Sequence, residues 1–143
     1  MKAHVFGNSP SPAVAAYGLK KSADEINVDK DVKDFVNHNF YVDDGLVSSE
    51  SETEIISLLQ RTQTALQHGG NLRLHKFIAN SPAIMKAFST DDLGKEVKTL
   101  HLDRDDLPTH RSLGLLWDLN TDNVMFDFQP KEPQSTRRGI LSV

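Results

Sequence analysis

Two adjacent carboxylates, Asp43 and Asp44, follow the apolar run Phe40-Tyr41-Val42 and precede Gly45. Along a regular strand neighbouring side chains point to opposite faces, but at a hairpin tip they converge on one region. Convergent carboxylates repel unless a cation lies between them, so such a tip can hold a hard divalent metal. Mg²⁺ suits the arrangement, because it commonly takes one or two carboxylates and completes its shell with water and phosphate oxygens. A pair of such ions, about 4 Å apart, would activate an attacking hydroxyl and stabilise a leaving pyrophosphate. Taken alone, Asp-Asp-Gly also reads as a solvated turn, since Asp and Gly are default turn residues.

The elements that must position this turn follow from periodicity. Val28, Val32, Phe35 and Val36 recur at helical spacing, which predicts a helix from about Asp29. Phe40-Tyr41-Val42 then reads as a strand, Asp43-Asp44-Gly45 as the turn and Leu46-Val47 as the return strand. Upstream, Ser11 is placed to cap a helix whose first residue is Pro12, with Lys20 to Asp29 a polar loop. Downstream, Ser51 and Glu54 form a capping-box pattern ahead of Ile55, Ile56, Leu58, Leu59, Ala65 and Leu66, and Gly69-Gly70 closes that helix. Asn71 to Ala79 is predicted as a strand, Pro82 to Phe88 as a short helix, and Ser89 to Pro108 as an acidic, mostly irregular connection. Leu113, Leu115, Trp117 and Leu119 alternate, as do Val124, Phe126 and Phe128 beyond an Asn120–Asn123 turn, which predicts a second hairpin.

Composition narrows the classes. The chain has 143 residues, 38% of them hydrophobic and 25% charged, enough for one domain with its own core. Mean hydropathy is −0.43, and no run approaches the roughly 18 apolar residues of a membrane span. The N-terminal residues lack the apolar core of a secretory signal. With no cysteine there is no disulfide, thiolate chemistry or cysteine-based zinc site, and an intracellular setting, cytoplasmic or nuclear, is expected. The net charge of −4 weighs against autonomous nucleic-acid binding, which phosphate neutralisation usually drives. It is compatible with the carboxylate-bearing part of a larger polymerase. The six histidines show no metal-ligand spacing, and Glu50, Glu52 and Glu54 read as helix-start residues rather than as the base of a metal-dependent hydrolase.

Phe40-Tyr41-Val42-Asp43-Asp44-Gly45-Leu46 resembles the YxDD catalytic motif of reverse transcriptases, with flanks similar to those of BEL/Pao long-terminal-repeat retrotransposons. Four other segments resemble that group in the same order. His4 to Ala13 is similar to its loop and helix ahead of the catalytic hairpin, and Leu72-Arg73-Leu74-His75-Lys76 occupies the place of its next polymerase motif. Ser112 to Trp117 looks like the hairpin that grips the primer end, and Thr136 to Ser142 like the start of the connection toward the thumb. Phe6 stands where many reverse transcriptases carry glutamine, although Phe-Gly suits the BEL/Pao pattern.

The resemblance implies an α+β fold over residues 1–143: the C-terminal half of a reverse-transcriptase palm, a small antiparallel sheet of hairpins with helices on one face. It implies Asp43 and Asp44 as ligands of Mg²⁺ or Mn²⁺, with Asp43 the more central. Tyr41 would lie near the primer end and the incoming deoxynucleoside triphosphate. Gly7, Ser11 and Pro12 would shape the loop beside the templating base, and Leu113 and Gly114 would sit at the primer grip. Lys76 would protonate or electrostatically stabilise the leaving pyrophosphate, although as a residue type it also reads as a solvated surface lysine. The implied partners are an RNA or DNA template-primer and the rest of a polyprotein with fingers, thumb and RNase H. The family's third catalytic aspartate lies on a strand upstream of the matching segments, whereas the first aspartate in this chain is Asp24. The expectation is therefore a polymerase fragment that is inactive as an isolated chain, or alternatively a retained fragment serving as a protein-interaction module.

Overall fold

The computed structural model describes residues 11–25 and 27–126. Helix α1 spans Ser11–Asp24, α2 Lys30–His38, α3 Glu52–Gly70 and α4 Pro82–Lys86. Strands β1 (Phe40–Tyr41) and β2 (Asp44–Gly45) form one antiparallel hairpin, and β3 (Thr109–Ser112), β4 (Leu115–Asp118) and β5 (Asn123–Phe126) form a separate antiparallel sheet in that order. The fold is thus mixed α+β, but its hairpins lie in two small sheets rather than one.

Helix α3 is organised by its sequence pattern. Ile55, Leu59, Thr62, Ala65 and Leu66 fall on one stripe and are buried. The Thr62 hydroxyl, although fully buried, donates to the Leu58 carbonyl at 2.7 Å and so carries no unpaired polar group inside. Ser51 caps the start by accepting from the Glu54 N–H at 3.4 Å, as the capping pattern predicts. The other end differs from expectation. Gly69 and Gly70 remain helical, and Asn71 adopts the left-handed conformation (φ 50) that terminates the helix.

Helix α2 presents Val32, Phe35 and Val36 to the interior, as the spacing implies. Phe35 joins Ile55, Leu59 and Ile84 in one cluster, while Val36 joins Ala23 and Leu66 in another. Arg61 on α3 ties down the start of α2, donating to Asp29 at 2.6 Å and to both oxygens of Asp31 at 2.9 and 2.5 Å. These bonds hold the Asp31 carboxyl below the usual carboxylate range. Helix α1 continues through the stretch from Lys20 that was expected to be loop, because Ala23 at its end is buried against Val36 and Leu66. Ser11 is the first residue of α1 and Pro12 the second, one position later in the helix than expected.

The segment after α3 is not a strand. Its main chain is held by side chains instead: Gln63 donates to the Leu74 carbonyl at 2.9 Å, and Arg73 pairs with Asp92 at 2.7 Å. A single parallel bridge joins Phe77 to Leu93. The connection from Ser89 onward is largely irregular, with one 3₁₀ turn at Thr90–Asp92, yet it supplies Leu93 and Val97 to a third cluster with Met85 and Leu119. Phe77 and Phe88 stack with ring centroids 4.1 Å apart and pack against both this cluster and that of Phe35. The hairpin expected beyond Asn120 is present as β4 and β5, and a hairpin is also present at Ser112 to Trp117 as β3 and β4, its first strand reaching back to Thr109. Phe128 and the Thr136 to Ser142 segment lie outside the described residues.

Asp92, in the 3₁₀ turn after α4, anchors the segment that precedes α4. It accepts from Arg73 Nε and Nη2 through Oδ1 and from Gln63 Nε2 through Oδ2. The Arg73 hydrogen bonds hold its carboxyl below the ordinary 3.8, against the opposing effect of burial and with help from Gln63. A carboxyl lowered on folding contributes stability above its unfolded value and loses it as pH falls through the lowered folded value. With Arg73 largely exposed, Asp92→Asn should cost about 1 kcal/mol at neutral pH. That difference should shrink as pH falls below the ordinary 3.8 and through the lowered folded value. Urea denaturation of both proteins across this range measures it.

Candidate active-site hairpin

The carboxylate turn is fastened directly to the end of α2. Asn39 caps that helix, its N–H donating to the Phe35 carbonyl at 2.9 Å. The same residue closes the hairpin base twice. Its carbonyl accepts from Leu46 N–H at 2.9 Å, and its side-chain amide donates to the Leu46 carbonyl at 2.9 Å. Phe40 pairs with Gly45 and Tyr41 with Asp44, leaving Val42 and Asp43 as a two-residue loop. The turn is therefore centred one residue earlier than expected: Val42 is a turn residue rather than a strand residue, Asp44 and Gly45 form the return strand, and Leu46-Val47 lie beyond it.

Register decides which way each side chain faces. Directly paired residues share a face of an antiparallel ladder. Phe40 and Gly45 occupy the inner face, where the Phe40 ring meets Phe35 edge-on with centroids 5.2 Å apart. A Cβ on Gly45 would lie 2.8 Å from the Phe40 ring, so the missing side chain is what lets the aromatic cover the strand. Tyr41 and Asp44 share the outer face, and both are exposed. Asp43 stands at the tip, also exposed.

Val42 has φ 60 while Asp43 does not have a positive φ, the pattern of a II′ turn. That first loop position normally takes glycine. A β-branched residue in the left-handed region costs about 1–2 kcal/mol, so the tip is held in a strained conformation by the pairing around it. Among the described residues, neither the Asp43 nor the Asp44 carboxylate has a hydrogen-bond or ion-pair partner. Two exposed carboxylates without a cationic partner thus stand at consecutive positions, Asp43 in the loop and Asp44 on β2.

The other expected site residues are dispersed over the chain. Lys76 lies on the irregular segment between Leu74 and Phe77, exposed and with φ 64, and it makes no ion pair with either aspartate. Phe77 fixes the main chain just after it, donating to the Asp92 carbonyl at 2.8 Å and accepting from Gly94 N–H at 2.9 Å. Leu113 (φ 53) and Gly114 (φ 81) are not strand residues but the two-residue loop joining β3 to β4, both with the positive φ of a type I′ turn. Pro12 is exposed on the first turn of α1, Ser11 is half-buried beside it, and Gly7 lies outside the described residues.

As metal donors, Asp43 and Asp44 fit a hard divalent ion in kind, being exposed oxygen ligands with no competing cation. They do not complete a protein-only shell: among the described residues no group of three or more acidic or histidine side chains is placed to hold a metal. The Asn39 clamp and the Val42 strain were not anticipated from sequence. The Asn between helix and strand was the available signal for the first, whereas nothing in a valine signals positive φ. No family model, curated protein or solved structure matches the chain.

Two neighbouring substitutions should act with opposite sign. Val42→Gly relieves the tip and is expected to raise thermal stability, by up to about 1 kcal/mol after the lost packing of a half-buried side chain. Gly45→Ala drives a methyl into the Phe40 ring and is expected to cost about 1–2 kcal/mol. Denaturant midpoints for the two variants decide it.

Proposed function

We propose that the Tyr41–Gly45 hairpin is the metal-binding carboxylate turn of a reverse-transcriptase palm, of the kind found in BEL/Pao retrotransposons, and that residues 1–143 alone do not polymerise. The observation that carries this reading is the strained Val42-Asp43 loop, with Asp43 in the loop and Asp44 directly after it on β2, both carboxylates unpartnered among the described residues. A merely solvated turn needs neither a β-branched residue at positive φ nor a double Asn39 clamp at its base.

Within this reading, Asp43 and Asp44 supply the protein ligands for Mg²⁺ or Mn²⁺. Bound there, the metal would activate a primer 3′-hydroxyl and stabilise departing pyrophosphate. Tyr41, on the Asp44 face, offers a flat aromatic edge to the primer end or the incoming nucleotide. The Leu113-Gly114 turn, whose glycine has no atom within 4 Å of a built Cβ, leaves room for a primer backbone. Lys76, free of any ion pair among the described residues, keeps its charge available for a phosphate leaving group. Gly7, Ser11 and Pro12 retain their implied place beside the templating base. The template-primer and nucleotide would be shared with fingers, thumb and RNase H of a polyprotein in an intracellular compartment.

Two carboxylates without a third hold divalent metal weakly. Calorimetric titration with Mn²⁺ should give a dissociation constant on the order of a millimolar, abolished by Asp43→Asn together with Asp44→Asn. An isotherm unchanged by those substitutions would contradict the reading. Primer extension by this chain alone should yield no product, because nothing among the described residues encloses the hairpin and its reactants. Synthesis that depends on Asp43 would overturn the proposed inactivity of residues 1–143 alone.

A second reading, a non-catalytic interaction module, has one observation in its favour. Val124 and Phe126 lie on the Trp117 side of the three-stranded sheet yet remain 60% and 87% exposed. Sedimentation of wild type against Val124→Ser/Phe126→Ser tests it. Self-association lost in the variant would favour the module.

A further inference from the structure

The segment joining the hairpin to α3 carries chemistry that the polymerase reading does not use. Ser48, Ser49 and Ser51 are interleaved with Glu50, Glu52 and Glu54. We infer that Ser49 is a phosphorylation site for an acid-directed serine/threonine kinase, which would recognise Glu50 one residue on and Glu52 three residues on. The inference stands whether or not Asp43 and Asp44 bind metal.

A kinase needs a hydroxyl on main chain that can lie extended in its cleft. Residues 46–49 adopt no regular structure, and Ser48, Ser49 and Glu50 are exposed. Among the described residues, the main chain of Val47 to Glu50 makes no hydrogen bond to other backbone. Laying it into a cleft therefore breaks no ladder or helix bond. The Ser49 Oγ accepts only from the Ser51 N–H, at 3.2 Å, which leaves its own proton available.

The neighbouring hydroxyls are less suited. Ser51 is half-buried and caps α3, bonding Glu54 N–H at 3.4 Å and Thr53 Oγ1 at 3.0 Å, so its modification would undo the cap. Three residues after Ser48 stands Ser51, which carries no charge. Ser89 has Asp92 three residues on, but its Oγ caps the 3₁₀ turn, and that aspartate is already taken by Arg73 and Gln63. Glu52, by contrast, uses Oε1 to accept from Ser81 at 2.5 Å and retains a second oxygen for a basic group of the kinase. Recognition of substrates by charge pattern of this kind is general among kinases.

In the transfer step, Ser49 Oγ attacks the γ-phosphorus of kinase-bound MgATP. The bond from that phosphorus to the β–γ bridging oxygen breaks, ADP departs, and the serine proton passes to the kinase's base. The product carries about −1.5 to −2 additional charge at neutral pH. That charge enters two residues ahead of the α3 cap and five residues after Asp44.

The test incubates the full chain with a purified acid-directed kinase and MgATP, then maps phosphate by intact mass and fragmentation. One phosphate on Ser49 is expected, and Ser49→Ala, with its helix content checked by circular dichroism, should remain unmodified. Glu52→Gln keeps the bond to Ser81 but removes the charge, and should lower kcat/KM for phosphorylation about tenfold. Absence of phosphate, phosphate on Ser48, Ser51 or Ser89 with Ser49 unmodified, or an unchanged rate in Glu52→Gln would each overturn the assignment.

Discussion

Burial of the α3 stripe is the constraint on which the other elements depend. Ile55 and Leu59 meet Phe35 and Ile84, Leu66 meets Ala23 and Val36, and Thr62 fills the stripe between them. Three helices and the start of the hairpin therefore share one apolar surface. Each buried aliphatic side chain contributes about 1.5–3 kcal/mol relative to exposure, far more than any single ion pair at the surface. The Arg61 bonds to Asp29 and Asp31 then select the angle at which α2 enters, rather than supplying the driving force. Because Phe40 packs on Phe35 and Phe35 on α3, the carboxylate turn inherits its position from that stripe.

The strain at the tip is small enough to be sustained by what surrounds it. A left-handed Val42 costs about 1–2 kcal/mol. The two Asn39–Leu46 hydrogen bonds contribute about 0.5–1.5 kcal/mol each, and the Phe40–Phe35 contact adds about 0.5–1.5 kcal/mol. The balance favours a formed hairpin with its loop in an unfavourable conformation, Asp43 exposed in that loop and Asp44 exposed on the strand after it. Stability and display are thus coupled: the inner face holds the hairpin shut, and the outer face is free for chemistry.

Helices α2 and α3 were legible because a buried face leaves a 3.6-residue period in the sequence, and the cap at Ser51 follows from the hydroxyl ahead of Glu54. The hairpin was legible in existence but displaced by a residue, since Asp-Gly normally marks the loop and valine normally avoids positive φ. Strand β3 left no periodic sign because Thr109-His110-Arg111-Ser112 has no apolar alternation, and a hairpin at Ser112 to Trp117 was expected only from the resemblance. The strand is defined by pairing with β4, which tertiary context alone supplies. Leu72 and Leu74 alternate like a strand, yet Gln63, Arg73 and Asp92 satisfy that segment through side chains. The adjacency of Asp43 and Asp44 was plain from sequence. Their lack of a cationic neighbour, the dispersal of Lys76 and the brace at Asn39 depend on packing.

The proposed chemistry needs the Asp43-Asp44 hairpin to be a cation site rather than a polar bend. Paramagnetic broadening by sub-stoichiometric Mn²⁺, read from amide resonances of the whole chain, locates such a site directly. The account requires selective loss of signal at Tyr41 to Leu46, reversed by excess Mg²⁺ and absent in Asp43→Asn/Asp44→Asn. Uniform broadening over all exposed carboxylates, or broadening centred on Glu50–Glu54 with the hairpin unaffected, would contradict it.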